Sequence, residues 1–260
     1  MAHEAELPPV LRPLRERCAE AALFLDYDGT LAPIVADPTG ARPVPGVREL
    51  LARLGARLDL VAVVSGRPVR FLSEALGTPP GVVLSGLYGM EEVGRDGELR
   101  RDTGAQRWRP VVAEAVAVLA GSAPPGVEIE PKGLSVTLHW RRSPGSEGWA
   151  RAAADALCAR TGLVPQSGRM ALELRPPVHV DKGTVVARLG LGRAVVACFG
   201  DDLGDLPAFA AVAELGRSGA TIARVAVADA ESPPEVAAAA DVVVEGPEAA
   251  VALIERIAAD

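Results

Sequence analysis

Two carboxylates one residue apart, Asp26 and Asp28, stand where an apolar run from Ala21 to Leu25 ends and Gly29 begins a turn. A buried parallel strand that delivers acids at its C-terminal tip reads this way, and in open α/β sheets ligands bind at that tip. Two further apolar runs end in polar groups: Leu60 to Val64 runs into Ser65-Gly66-Arg67-Pro68, and Ala194 to Phe199 into Gly200-Asp201-Asp202. Lys182 opens a helical pattern shortly before the last of these. This set contains what hydrolysis of a phosphate monoester requires. Asp26 is the candidate nucleophile, forming an aspartyl-phosphate and dividing one hard displacement into two. Asp28 is placed to protonate the alkoxide leaving group and then to take a proton from the attacking water. Ser65, Lys182 and nearby backbone amides would neutralise the phosphoryl oxygens, with Gly66 and Arg67 as further substrate contacts. Acids crowded this way repel one another and a phosphate unless a divalent cation sits among them, and oxygen-only ligation points to Mg²⁺. Its expected ligands are Asp26, the backbone carbonyl of Asp28, Asp201 and Asp202, with Asp205 in support. Each piece alone also occurs as an ordinary turn or acidic loop. Their order, each at a strand end, is what gives them joint weight.

The elements that must position these residues can be read from periodicity. From Ala21 to Leu84 strand and helix patterns alternate, with helices at Gly46 to Arg57 and Pro68 to Leu76 and a hairpin turning at Arg95-Asp96-Gly97. That alternation predicts a doubly wound parallel sheet. Around Arg101 the character changes to an α-β-β-α-β-β order, in which Leu134, Val136, Leu138 and Trp140 alternate with Ser135, Thr137 and His139 as in a half-exposed antiparallel strand. From Lys182 the first pattern resumes. The fold expected is α/β: a Rossmann-like core of residues 1–101 and 180–260, with a smaller α+β domain, 102–179, inserted. Residues 1–20 are expected to form a leading helix, and Glu231 to Glu235 a polar break.

Composition narrows the function. Among 260 residues, 49% are apolar and only 3% aromatic, so the core is built from Ala, Val and Leu and stacking on rings is not the main recognition device. A net charge of -7 argues against nucleic acid. Cys18, Cys158 and Cys198 are far apart and lack metal spacing, which predicts reduced thiols in a cytosolic protein. The N-terminus has no secretory pattern and no window suits a membrane span, so the expectation is a soluble, cytoplasmic protein that acts as a monomer. Of 27 basic residues only Lys132 and Lys182 are lysine, which marks both as positions wanting a compact ammonium.

With the residues that follow, Asp26-Tyr27-Asp28-Gly29-Thr30-Leu31 resembles the first motif of the haloacid dehalogenase (HAD) superfamily of phosphotransferases. Ser65, Lys182 and the Asp201-Asp202 pair resemble its other motifs, and the insertion lies where that superfamily places its type-II caps. Within the insertion, Glu128-Ile129-Glu130-Pro131-Lys132-Gly133, Leu138-His139-Trp140-Arg141 and Gly168 to Pro176 resemble the cap of trehalose-6-phosphate phosphatases. The resemblance spans about Ala21 to Phe209 and implies hydrolysis of trehalose 6-phosphate to trehalose and phosphate beneath a mobile cap. It implies that Glu130, Lys132 and Glu173 bind glucose hydroxyls, with Arg169 and His139 nearby, and that the chain is linked in function to a trehalose-6-phosphate synthase. Gly86-Leu87-Tyr88-Gly89, Leu203-Gly204 and Arg169 depart from the usual pattern of that family. As a strand residue of alternating register, His139 also reads as solvent-facing, and Glu173 as a solvated acid.

The nearest rival keeps the chemistry and changes the sugar, to sucrose 6-phosphate or mannosyl-3-phosphoglycerate. A non-catalytic sugar-phosphate sensor is the rival from another class, but binding alone has no use for a nucleophile and an acid two residues apart. A P-loop kinase is excluded by the lack of its phosphate loop.

Overall fold

The computed structural model describes residues 6–35, 40–168, 170–229 and 232–259. In chain order its strands are β1 (Ala21–Leu25), β2 (Leu60–Val64), β3 (Val82–Gly86), β4 (Glu91–Val93), β5 (Leu99–Arg101), β6 (Glu128–Pro131), β7 (Val136–His139), β8 (Val164–Gly168), β9 (Ala171–Arg175), β10 (Val195–Gly200), β11 (Thr221–Ala228) and β12 (Val242–Glu245). They form two sheets in two compact units, one of Met1–Arg100 with Val180–Asp260 and one of Arg101–His179.

In the larger unit β1, β2 and β10 are buried at every position, which requires cover on both faces. The sheet order is β12-β11-β10-β1-β2-β3-β4-β5, parallel from β12 through β3, with β4 antiparallel to β3. Alternate residues serve opposite layers. Leu23, Leu25, Val61 and Val63 pack with the helices Val47–Arg57, Val69–Leu76 and Gly246–Ala258. Ala22, Phe24, Ala62 and Val64 pack with Lys182–Gly190 and Leu206–Arg217. Because the chain winds outward from β1 in one direction and from β10 in the other, the sheet reverses between two adjacent strands. Both end in aspartates, at the position where doubly wound sheets bind ligands.

The smaller unit is an antiparallel sheet, β6-β7-β9-β8. Val136, Leu138, Leu172 and Leu174 cover one face against the helices Arg109–Ser122 and Glu147–Thr161. On the alternate positions the register lines up Glu130, Thr137, Glu173 and Gln166 across all four strands.

Three local expectations differ from the structure. The N-terminal segment is a short 3-10 turn (Pro9–Leu11), a five-residue helix (Arg12–Glu16) and another 3-10 turn (Cys18–Glu20). Pro13 has no N–H and suits only a first helical turn, so the helix starts anew beside it. Residues 1–5 of that segment lie outside the described residues. The strand β7 is not half-exposed: Thr137 is buried along with its apolar residues, as is Ser135 just before it. It lies inside its sheet, and Thr137 is flanked at matched register by the longer Glu130 and Glu173. Of the polar break expected at Glu231 to Glu235, the last two residues begin the helix Pro234–Ala238, where the fixed φ of proline suits the first turn, and Glu231 lies outside the described residues.

Candidate active site

Asp26 leaves β1 with its amide still donating to Phe199 O of β10 at 3.1 Å, which keeps its side chain beside the tip of that strand. The next turn closes tightly, with the amides of Leu31 and Ala32 both donating to Tyr27 O and Gly29 N donating to Ala32 O at 2.7 Å. Gly29 sits at φ +77°, and a Cβ there would lie 2.1 Å from Asp201 Oδ2. Only glycine lets the two strand tips approach this closely.

Lys182 is the first residue of its helix, and that helix is anchored by a capping box: Thr184 N donates to Asp181 Oδ1 at 2.8 Å, and Asp181 N to Thr184 Oγ1 at 3.0 Å. The anchored turn aims Lys182 Nζ at two carboxylates, 2.7 Å from Asp26 Oδ1 and 2.7 Å from Asp205 Oδ1. Asp205 ties this ammonium to the β10 tip, because its Oδ2 accepts from Asp201 N at 3.0 Å and Asp202 N at 3.3 Å. A Cβ on Gly200 would strike Asp205, so that position too must be glycine. Asp26, Asp201 and Asp205 each present a carboxylate oxygen within 4.8 Å of the others, and all three are buried. Asp202 turns aside and accepts from Gly204 N at 2.8 Å, capping the 3-10 turn Leu203–Asp205.

The electrostatics follow from one ammonium facing three acids. Burial pushes the Asp26 carboxyl well above its ordinary range, with Lys182 opposing and Asp205 and Asp202 adding to the rise. Asp201 is raised in the same way, by burial first and then by Asp26, Asp205 and Asp202. Burial works to strip the proton from Lys182, but Asp205, Asp26 and Asp202 outweigh it and hold the amine charged. When ionised, these three carboxylates would carry more negative charge than one lysine balances, and their donors are all oxygens. That is the donor set a hard divalent cation takes.

At the β2 tip Ser65 is buried, its N donating to Ser85 O at 2.9 Å and its Oγ accepting from Arg67 N at 3.1 Å. Gly66 follows, close under the ring of Tyr88. The Arg67 guanidinium grips Asp28 with two hydrogen bonds of 2.8 Å, Nε to Oδ2 and Nη2 to Oδ1. The Asp28 side chain is thus drawn to Arg67, while the buried carboxylate trio is completed by Asp205.

In the smaller unit four predicted residues come together on one face. His139 Nε2 lies 2.8 Å from Glu130 Oε2, and Lys132 Nζ lies 3.1 Å from Glu173 Oε2 and 3.9 Å from Glu130 Oε2. Glu173 is 4% exposed, and its Oε1 is buried with no hydrogen-bond partner among the described residues. Arg169 lies outside the described residues.

The profile of the family described as trehalose-phosphatase matches residues 24–242. The chain belongs to the trehalose-phosphatase family. A trehalose-phosphate phosphatase of Mycobacterium avium is 37% identical over 201 residues, which is 74% of this chain and 51% of that protein. The chain spans about half the length of the curated relatives it matches. Among solved structures, the C-terminal domain of C. albicans trehalose-6-phosphate phosphatase superposes with a TM-score of 0.79 at 24% identity, covering 97% of this chain and 99% of that one. A trehalose-6-phosphate phosphatase related protein gives 0.77, also at 24% identity, covering 91% and 96%. At that identity both likenesses speak to fold. Within this family's fold the residue to which sequence reasoning gave least weight is Asp205. Its signal was an acid four residues after Asp201 at the start of a helix, too common a pattern to single out.

Proposed function

We propose that the chain is a Mg²⁺-dependent phosphatase that hydrolyses trehalose 6-phosphate to trehalose and phosphate through an aspartyl-phosphate on Asp26. The observation that carries this reading is the buried contact of Asp26 with Lys182, at the point where the sheet reverses and beside Asp201 and Asp205. Asp26, Asp201 and Asp205 are the side chains that would hold the cation. When bound, Mg²⁺ would offset the phosphoryl charge and help orient the group for in-line displacement.

The chain's own residues do the rest. Lys182 opposes the rise that burial imposes on the Asp26 carboxyl, which favours the ionised, attacking form, and it offers its charge to a phosphoryl oxygen. Ser65, with the amides around it, supplies donors to the remaining oxygens. Asp28 gives a proton to the leaving sugar oxygen and later takes one from water, so that one carboxyl serves both half-reactions. Residues 102–179 are assigned the part of a cap, and Glu130, Lys132, His139, Glu173 and Arg169 the recognition of glucose hydroxyls. Glu173 Oε1, buried without a partner among the described residues, supports this, because a sugar hydroxyl satisfies such an acceptor. Such a site also discriminates strongly against analogues lacking the hydroxyl. A cytoplasmic setting and a functional link to the synthase that makes trehalose 6-phosphate belong to the same reading. No helix among the described residues is long and apolar enough to cross a membrane.

Phosphate release from trehalose 6-phosphate, sucrose 6-phosphate, mannosyl-3-phosphoglycerate and glucose 6-phosphate, with and without Mg²⁺, tests the proposal against Asp26→Asn as the blank. Preference for trehalose 6-phosphate that needs Mg²⁺, vanishes in the blank and is reduced about 100-fold in kcat/KM by Glu173→Gln is the expected result. Preference for another sugar would retain the chemistry and discard the sugar assignment, and no release from any of them would discard the enzyme.

A further inference from the structure

The sequence marks Arg67 as a substrate contact, and its guanidinium holds Asp28. Both hydrogen bonds are 2.8 Å, and they run from the Nε and Nη2 edge of the guanidinium to the two carboxylate oxygens, the fork-to-fork geometry that fixes the plane as well as the position of an acid. The arginine is itself held. Its side chain is 10% exposed, and its Cζ lies 4.4 Å from the centroid of the Phe71 ring. Phe71 in turn meets Tyr27 edge to face, with centroids 5.6 Å apart and planes at 84°. Tyr27 is fully buried and lies between Asp26 and Asp28 in the chain. The contacts therefore form a closed circuit: Asp28 to Arg67, Arg67 to Phe71, Phe71 to Tyr27, and Tyr27 back through one peptide bond to Asp28.

A circuit of this kind holds the acid at a defined angle to the nucleophile two residues away. The side chain of Asp28 is 33% exposed, so without Arg67 its carboxyl would have water and several rotamers open to it. Proton transfer to a leaving oxygen requires the acid within hydrogen-bond reach in one orientation, so its positioning controls the rate. We propose that Arg67, seated on Phe71, is a positioning residue that orients Asp28 for proton transfer, and that Phe71 acts through Arg67 to the same end. The inference rests on the assignment of Asp28 as the acid and base of the reaction proposed above.

Leaving-group chemistry separates this role from substrate binding and from general structural damage. A sugar alkoxide must be protonated as the ester bond breaks, whereas p-nitrophenolate leaves without a proton. The experiment is single-turnover release of trehalose from trehalose 6-phosphate and of p-nitrophenol from p-nitrophenyl phosphate, with saturating enzyme in excess. It uses the full chain, as wild type, Arg67→Lys and Phe71→Leu. Rate constants measured in this way do not depend on the fraction of active protein. Expected is a fall of roughly 10- to 100-fold in the trehalose rate in Arg67→Lys and a smaller fall in Phe71→Leu, since a positioned acid is worth about 10²–10⁴-fold in all. The nitrophenol rate should stay within about threefold of wild type in both, since proton transfer is absent from that step. An equal loss on both leaving groups, no loss in either variant, or a raised half-saturation in Arg67→Lys with an unchanged limiting rate would overturn the inference. A wild type that released no trehalose would instead refute the proposed function, so the two failures are distinguishable.

Discussion

Replacing Asp205 by asparagine tests whether this aspartate organises the cluster. The carboxylate uses both oxygens: Oδ1 faces Lys182 Nζ at 2.7 Å, and Oδ2 takes the amides of Asp201 and Asp202 at 3.0 and 3.3 Å. Asparagine keeps one acceptor. If its oxygen faces the ammonium, its NH₂ confronts two backbone donors, and if it is turned round, the NH₂ confronts the ammonium. Breaking a buried ion pair costs about 3–5 kcal/mol, and a buried group left unpaired about 1–3 kcal/mol. Two effects reduce the total. Lys182 keeps Asp26 at 2.7 Å, and removing one negative charge eases the repulsion that adds to the effect of burial in raising the Asp26 and Asp201 carboxyls. A net loss of about 3 kcal/mol remains, which for a chain of this size lowers the melting temperature by roughly 6–12 °C. When Mg²⁺ is bound the repulsion is already relieved, so the loss should be larger with Mg²⁺ than in chelator. Calorimetric unfolding in both buffers reads the effect, alongside phosphate release, which should fall by about 100-fold as Lys182 is released from its place. Melting within about 1 °C of wild type in both buffers would refute the reasoning, because it would mean that Asp205 neither pairs Lys182 nor holds the strand tip.

Two further changes probe separate parts of the fold. Gly29→Ala forces a left-handed residue to carry a Cβ, at about 1–2 kcal/mol, and drives the Asp201 carboxylate from its place. The Mg²⁺ concentration giving half-maximal phosphate release should rise about 10-fold or more, as expected when one ligand of a cation site is displaced, and an unchanged midpoint would remove Asp201 from that site. At the far end of the sheet, Asp241 accepts from Arg224 N at 2.8 Å, Nε at 3.0 Å and Nη2 at 2.8 Å, and the Arg224 hydrogen bonds hold its carboxyl below the usual carboxylate range. A lowered folded pKa contributes stability that is present above the unfolded value near pH 4 and is lost as pH falls through the folded one. Asp241→Asn should thus cost about 1–2 kcal/mol in urea unfolding at neutral pH, discounted for partial exposure, and nearly nothing in acid below the folded pKa. A gap that did not close in acid would show that the charge is not its source.

Much of this protein is legible along the chain because its signals are local. The runs Ala21 to Leu25, Leu60 to Val64 and Ala194 to Phe199 read as buried strands, since five or six consecutive apolar residues between polar breaks have the length of a strand and are too few for an ordinary helix. The α/β class and the family resemblance followed from those runs and from the motifs at their ends. The break of pattern near Arg101 marked the insertion, and the scarcity of lysine singled out Lys132 and Lys182. Where local preference was weak, sequence reasoning erred, as in the proline-interrupted N-terminal segment and in β7, whose alternation was that of a half-exposed strand although Thr137, between Glu130 and Glu173, is buried.

What only the tertiary structure decided is which polar groups meet. Asp26 and Asp201 are 175 residues apart, and they become neighbours because β1 and β10 pair in parallel at the reversal of the sheet. Asp205 rather than Asp202 completes the buried trio, since Asp202 is taken by the cap of its own turn. Arg67, expected as a substrate contact, is bound to Asp28, because the turn after β2 brings the guanidinium over Phe71 and against that carboxylate. Residue types and spacing state which chemistry a chain can perform, whereas the direction of each side chain depends on packing and hydrogen bonds between segments far apart in sequence.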